Sequence, residues 1–392
     1  MNYFIKNLFY VLLFSFSLSC SIPTSRKLIR LPVSDYPYLL DSSQADIIYK
    51  YAKHFPEGTQ LSICIITPDS EKYAGILIRN DSLIYIDNSS SIFEIGSITK
   101  TFTGTILAKL VYDKRINLND PIQKFLPFKL KQNSLNGEEI KIVNLAGHTS
   151  GLPREPDDVQ ENQGHRYNPY NPYDGYNIGR LYNYLSNNLV LQSTPGEKRS
   201  YSNLGYGLLG HLLTLITRKS YEELLMDYIT GPVKMGSTFV KIDAGRIMHM
   251  VRGRNEKGEV LPYFDWDSSA FVGAGGIKSS AKDLAKYIKI NMTDTAYFFL
   301  AQKSIKKYSE YLTQGLGWAT FNAPDSFHHV SASGATGGYT CGLIFERNVK
   351  VGVVVLTNVS AFLAAKGDYI DDLCRELYDQ LPFKYSVIKH KL

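Results

Sequence analysis

Glu94-Ile95-Gly96-Ser97-Ile98-Thr99-Lys100-Thr101 sets a serine three residues before a lysine, directly after a glycine and at the head of an apolar run. Residues i and i+3 share one face of a helix, so a helix starting near Ser97 brings the Lys100 amine to the Ser97 hydroxyl. Serine is a weak nucleophile until a neighbouring base takes its proton. The N-terminus of the same helix supplies N–H groups and a positive dipole end where an oxygen turns negative during acyl transfer. For Lys100 to act as base it must be partly neutral, which burial and cationic neighbours favour. The spacing alone is weak, because S-x-x-K occurs four times, starting at Ser97, Ser279, Ser304 and Ser386. Context separates the first: short strands precede it and an apolar helix follows. Ser279 reads as a cap for a helix beginning near Ala281, and Ser386 lies in the tail. The bland alternative for Ser97 is an N-cap serine with a surface lysine.

Outward from this motif, Leu61–Ile66, Tyr73–Arg79 and Ser82–Asp87 are short β-branched or apolar runs between turn residues, which predicts a three-strand meander. Ala45–Phe55 has helical spacing ahead of them. The helix from Ser97 should run to about Lys114, with Ile106, Leu107, Leu110 and Val111 on one face. Asn119-Asp120-Pro121 breaks it. Further helices are expected at 177–187, 204–218, 221–230 and 281–291. Residues 160–185 hold six tyrosines with Pro169 and Pro172, and read as a long ordered loop. Gly342–Glu346 and Val351–Thr357 form a second strand pair, and a last helix covers 362–380. Strands at both ends and helices between them predict an α+β fold. One antiparallel sheet (45–100 with 310–385) is flanked by the first and last helices, and a large, mostly helical domain (101–309) is inserted. Clefts form at such junctions.

Composition agrees with a folded catalyst. The chain has 392 residues, 44% hydrophobic and 12% aromatic, enough for a packed core and too apolar for disorder. A formal charge of +6 with no basic run argues against nucleic-acid binding. Four cysteines in this length exclude a disulfide-stapled mini-protein. Residues 1–19 place Lys6 before an apolar stretch, Leu8–Leu18, that is too short to span a bilayer and fits a secretion signal. Leu18-Ser19-Cys20 then resembles a bacterial lipoprotein box, with Ser17 where a branched aliphatic residue is usual. Cys20 is therefore the expected lipid attachment point, residues 20–44 a tether, and the cell envelope or periplasm the expected location. Cys64, Cys341 and Cys374 read as buried small hydrophobes, and a Cys64–Cys341 bridge stays open.

Two more elements carry chemistry. Tyr201-Ser202-Asn203 is the only Y-x-N among 28 tyrosines. A phenol beside an ammonium can lose its proton and relay protons to a leaving group, and an Asn amide can hold a substrate carbonyl. Equally, Asn203 could cap a helix starting at Leu204, with Tyr201 in the core. Ala332-Ser333-Gly334-Ala335-Thr336-Gly337-Gly338-Tyr339 precedes the second strand pair, and its glycines let a substrate lie close against a strand edge. No Lys follows those glycines and no helix either, so a phosphate loop is disfavoured.

S-x-x-K near residue 100, Y-x-N about a hundred residues on and a Gly-rich strand near the end together resemble the serine β-lactamase and penicillin-binding family. The class C branch, with its carboxypeptidase, endopeptidase and esterase relatives, is the nearest match. Val143-Asn144-Leu145-Ala146-Gly147-His148-Thr149-Ser150-Gly151-Leu152-Pro153, Thr194-Pro195-Gly196 and Gly273-Ala274-Gly275-Gly276-Ile277 also look like the family. The run Leu152-Pro153-Arg154-Glu155 resembles the AmpH-type D-alanyl-D-alanine carboxypeptidase/endopeptidases. The resemblance implies Ser97 as the acylated nucleophile, Lys100 as its base or proton partner and Tyr201 as second base and proton shuttle. It implies Asn203 on the substrate amide and an oxyanion hole from the N–H groups of Ser97 and Ala335. Ser333, with Gly334 and Ala335, would meet the substrate, which would be a peptidoglycan-type peptide, a β-lactam or a small ester. No cofactor and no metal is implied. One position departs from the family: its third motif begins with Lys or His, and here that residue is Ala332. His328 and His329 are the nearby candidates to compensate. The alternatives are an esterase or β-lactamase of the same fold, or a lipid-anchored binding or sensor protein without turnover. An α/β-hydrolase is excluded, since G-x-S-x-G does not occur.

Overall fold

A computed structural model describes residues 41–161, 168–264, 266–322, 328–360 and 369–381. The expected leader, Cys20 and nearly all of the tether lie outside the described residues, as does the start of the last expected helix.

Among the described residues nine antiparallel strands form the main sheet: β1 (Gln60–Ile66), β2 (Glu71–Arg79), β3 (Ser82–Ile86), β4 (Lys306–Lys307), β5 (Leu312–Gln314), β6 (Ala319–Phe321), β7 (His329–Ala335), β8 (Thr340–Glu346) and β9 (Val351–Thr357). Their order is β3-β2-β1-β9-β8-β7-β6-β5-β4. The N-terminal and C-terminal strand groups meet at β1 and β9, where Ile63 pairs with Val355. All seven residues of β9 are buried. A strand covered on both faces loses the apolar–polar alternation, because successive side chains enter two different cores. Here Val351, Val353 and Val355 join one core, and Val354 and Leu356 the other.

The first core lies under α1 (Ser42–Ala52) and the C-terminal helix α5 (Tyr369–Asp379), which pack together and hold Ile48, Leu373 and Leu377. Asp41 caps α1 through its side chain, so the helix starts three residues before Ala45. The second core joins the sheet to the central helices. Helix α4 (Ala281–Thr293) packs on β1, β8 and β9, so part of 101–309 lies directly on the sheet. Helix α2 (Thr99–Tyr112) buries eleven of its fourteen residues. It has no exposed stripe through Ala108, unlike the single apolar face expected from Ile106, Leu107, Leu110 and Val111. Its threonines satisfy their hydroxyls inside, as Thr103 does on the Gly273 carbonyl at 2.7 Å. The expected helices at 177–187 and 221–230 each break: α-helix over 178–183 and 221–225 passes into π turns at 184–188 and 226–230.

The cysteines Cys64, Cys341 and Cys374 are all free and buried, so the Cys64–Cys341 bridge does not form. Among the described residues no helix is long and apolar enough to cross a membrane.

Candidate active site

Gly96–Ile98 forms a single 3-10 turn, and regular α-helix follows from Thr99. Gly96 has φ +49, a left-handed conformation that favours glycine. It turns the chain so that Ser97 stands at the mouth of α2 instead of inside it. Lys100, one turn on, is 3% exposed. Its Nζ lies 3.0 Å from Ser97 Oγ, 2.9 Å from Asn203 Oδ1 and 2.8 Å from the Ala274 carbonyl. The last two atoms can only accept. They therefore take two of the amine's N–H groups and aim its remaining position at Ser97 Oγ. Burial pushes the Lys100 pKa below the usual lysine value, with Tyr201 opposing and Arg154 assisting.

Tyr201 OH is 2.7 Å from the same Ser97 Oγ. Burial alone would raise this phenol. The Lys100 ammonium beside it, its hydrogen bonding with Ser97, and Arg154 outweigh it and hold Tyr201 below the ordinary tyrosine value. Two titratable groups whose basic forms are favoured thus converge on one hydroxyl, and they titrate as a pair.

The Tyr201–Asn203 segment is positioned by the His148–Arg154 strip, which runs beside it. Ser200 N–H donates to the His148 carbonyl at 2.8 Å, and the N–H groups of Asn203 and Leu204 donate to the Arg154 carbonyl at 2.9 and 3.1 Å. The Ser202 hydroxyl donates to the Pro153 carbonyl and accepts from Gly205 N–H. Ser202, not Asn203, is thus the cap of helix α3 (Asn203–Thr217), and the Asn203 side chain is released into the site. His148 accepts from Ser202 N–H through Nδ1 and lies against the Tyr201 ring. Burial and the nearby cations keep it neutral, with its pKa well below the usual histidine value.

Asn203 spans the site. Its Oδ1 accepts from Lys100, while Nδ2 donates to Glu155 Oε1 at 3.2 Å and to Tyr173 OH at 2.8 Å. Tyr173 donates in turn to Glu155. Tyr173 comes from the tyrosine-rich loop and stacks on Phe271, with ring centroids 4.1 Å apart. Neither Tyr173 nor Glu155 was assigned a role from sequence. Glu155 sits in the Leu152–Glu155 run, which was the available signal.

The Gly-rich strand closes the site opposite α2. A Cβ on Gly334 would meet the Ile95 carbonyl at 2.0 Å and Ser97 N at 2.8 Å, and one on Gly96 would meet Ala335 N at 2.5 Å. Backbone lies on backbone here: the Gly96–Ser97 turn packs directly on Gly334–Ala335. β6 pairs with β7 only as far as Ser331, so among the described residues no strand pairs with Ala332–Ala335 on that edge. Ser333 is exposed and alternates to the face opposite Gly334. Ala332 packs on the second core. The two histidines are engaged elsewhere: His328 faces Glu346 at 3.4 Å, and His329 stacks on Phe321 with the Tyr378 ring tilted beside it. Among the described residues no group of His, Cys, Asp and Glu is arranged to hold a metal.

A serine hydroxyl thus lies within hydrogen-bonding distance of a buried lysine amine and a tyrosine phenol, beside an antiparallel sheet. The family model described as "Beta-lactamase" matches residues 88–373, and the chain belongs to that family of serine hydrolases. It is 26% identical over 367 residues to the Escherichia coli K12 D-alanyl-D-alanine-carboxypeptidase/endopeptidase AmpH, covering 86% of this chain and 90% of AmpH. It is 30% identical over 305 residues to protein Flp of Staphylococcus aureus MW2, spanning 74% of this chain and 56% of Flp. A β-lactamase/D-alanine carboxypeptidase from Yersinia pestis shares the fold, with TM-score 0.70, 23% identity and coverage of 86% and 97%. The octameric penicillin-binding protein homologue from Pyrococcus abyssi aligns with TM-score 0.67 and 25% identity, over 87% of this chain and 78% of its own.

Proposed function

We propose that this chain acylates Ser97 and hydrolyses D-alanyl-D-alanine-type peptides in the cell envelope. The observation that carries the proposal is the meeting of Lys100 Nζ and Tyr201 OH on Ser97 Oγ, at 3.0 and 2.7 Å. The Lys100–Tyr201 pair takes the serine proton as Oγ adds to the substrate carbonyl. The N–H groups of Ser97 and Ala335 hold the oxyanion. Tyr201 returns the proton to the leaving amine as the scissile bond breaks, and water then releases the acyl group by the same relay in reverse. The edge at Ala332–Ala335, with which no described strand pairs, suits an extended peptide, which can add there as a further strand. The name of the AmpH relative supports the substrate class.

Ala332 favours a second reading, an esterase, because the cation that opens the family's third motif is missing. A non-catalytic binder is disfavoured, since binding alone needs no base beside a serine. Release of D-alanine from a D-Ala-D-Ala peptide by the wild type, and none by Ser97→Ala, is the expected result. Hydrolysis of short p-nitrophenyl esters without D-alanine release would select the esterase. Lipid at Cys20 remains part of the proposal, motivated by Leu18-Ser19-Cys20 after the apolar run. Cell fractionation tests it: Cys20→Ser should move the protein from the membrane to the soluble fraction, and an unchanged membrane pool would refute it.

A further inference from the structure

The site lacks a cation at position 332 but holds one at 154. The Arg154 guanidinium lies over the Tyr201 ring, with Cζ 5.1 Å from its centroid, one phenol away from Ser97. Its side chain is 40% exposed, so solvent and ligands can reach the guanidinium. Its backbone is fixed, because the Arg154 carbonyl receives two N–H groups from the head of α3. The nearest carboxylate, Glu155, is 3.7 Å from Nε, beyond hydrogen-bonding reach, and already accepts from Tyr173 and Asn203. Among the described residues the guanidinium has this long ion pair and no hydrogen bond. Lys100, by contrast, has all its directions engaged. Arg199, the other arginine near the site, lies over the Tyr308 ring.

We propose that Arg154 is the carboxylate-recognition residue of this enzyme, taking over the part that a cation at position 332 would play. Its fork binds the anionic group of a substrate whose scissile carbonyl lies against Ser97. The ligand class is an acyl donor with a free carboxylate on its leaving-group side. The proposal rests on the serine-hydrolase reading above and deepens it. Stacking on Tyr201 is a real competing role for Arg154, but such a role would act alike on charged and neutral substrates.

The test compares two thioester peptides, one with a free C-terminal carboxylate on the leaving group and one with that carboxylate amidated. The readout is the ratio of their kcat/KM values. Arg154→Gln should lower the carboxylate-to-amide ratio by about 30-fold, the loss expected for charge-assisted hydrogen bonds. Arg154→Lys should keep much of the ratio, since it keeps the charge. Both substrates should also slow somewhat in Arg154→Gln, because Tyr201 loses a neighbour that favours its basic form. A ratio unchanged within about twofold in both variants would overturn the proposal and leave Arg154 as a Tyr201 partner only. Failure of the wild type to turn over either thioester, with no adduct on Ser97, would instead overturn the serine-hydrolase reading, and this proposal with it.

Discussion

Lys100→Met is expected to slow acylation of Ser97 by about 10³-fold while the protein stays folded, within the range a positioned base contributes. Methionine fills the space of the lysine stem without a charge. It leaves Asn203 Oδ1 and the Ala274 carbonyl without their donor, a loss of about 1–3 kcal/mol for each buried group. Removing a buried ammonium offsets part of that. The melting temperature should therefore move by only a few degrees for a domain of this size. The pH profile supplies the mechanistic sign. Acylation needs the basic form of the Lys100–Tyr201 pair, so the wild-type rate falls as pH drops through the pair's pKa. Because burial depresses Lys100, and Lys100 in turn depresses Tyr201, that fall lies below the ordinary lysine and tyrosine ranges. In Lys100→Met, Tyr201 keeps its burial and loses its ammonium neighbour, so the fall moves to higher pH. A stopped-flow acylation series across pH measures both the rate and the shift. An unchanged profile would remove Lys100 from the base pair.

The second large effect is steric. Gly334→Ala should cut acylation by about 10²–10³-fold, the loss expected when an oxyanion donor leaves its place. The added Cβ would stand 2.0 Å from the Ile95 carbonyl, a backbone atom that no rotamer change can move aside. β7 must then retreat from the Gly96–Ser97 turn and carry Ala335 N–H with it. Overpacking of this kind also destabilises, by about 1–3 kcal/mol. Steady-state kinetics should show a fall in kcat beyond any change in KM. Wild-type kinetics in this variant would mean that Ala335 N–H does not hold the oxyanion.

The parts of the site readable from sequence are those set by local spacing. Ser97 and Lys100 are one helical turn apart, and Tyr201 and Asn203 flank a capping serine. The spacing within each pair is set by its own few residues of backbone. The β1–β3 meander and the β8–β9 pair were readable because short β-branched and apolar runs closely bounded by turn residues favour strand. What stayed hidden depends on contacts between distant segments. Tyr173 reaches Asn203 from a loop thirty residues upstream. Arg154 and Glu155 reach the site only because their strip is laced to the head of α3. The short strands β4, β5 and β6 hold two or three residues each, too few for alternation to show. The cap passed from Asn203 to Ser202 because Ser202 also bonds Pro153, a partner forty-nine residues away. The all-round burial of helix α2 was missed for the opposite reason: with almost every side buried, it has no polar face to set the period.

The central claim is that Ser97 forms a covalent acyl-enzyme. Intact-mass spectrometry after incubation with a penicillin and with a carboxylate-bearing thioester peptide tests it most directly. The expected result is a single adduct with the mass of the acyl group on the wild type, mapped to the peptide that contains Ser97, and none on Ser97→Ala. No adduct on the wild type with either reagent, or an equal adduct on Ser97→Ala, would contradict the claim.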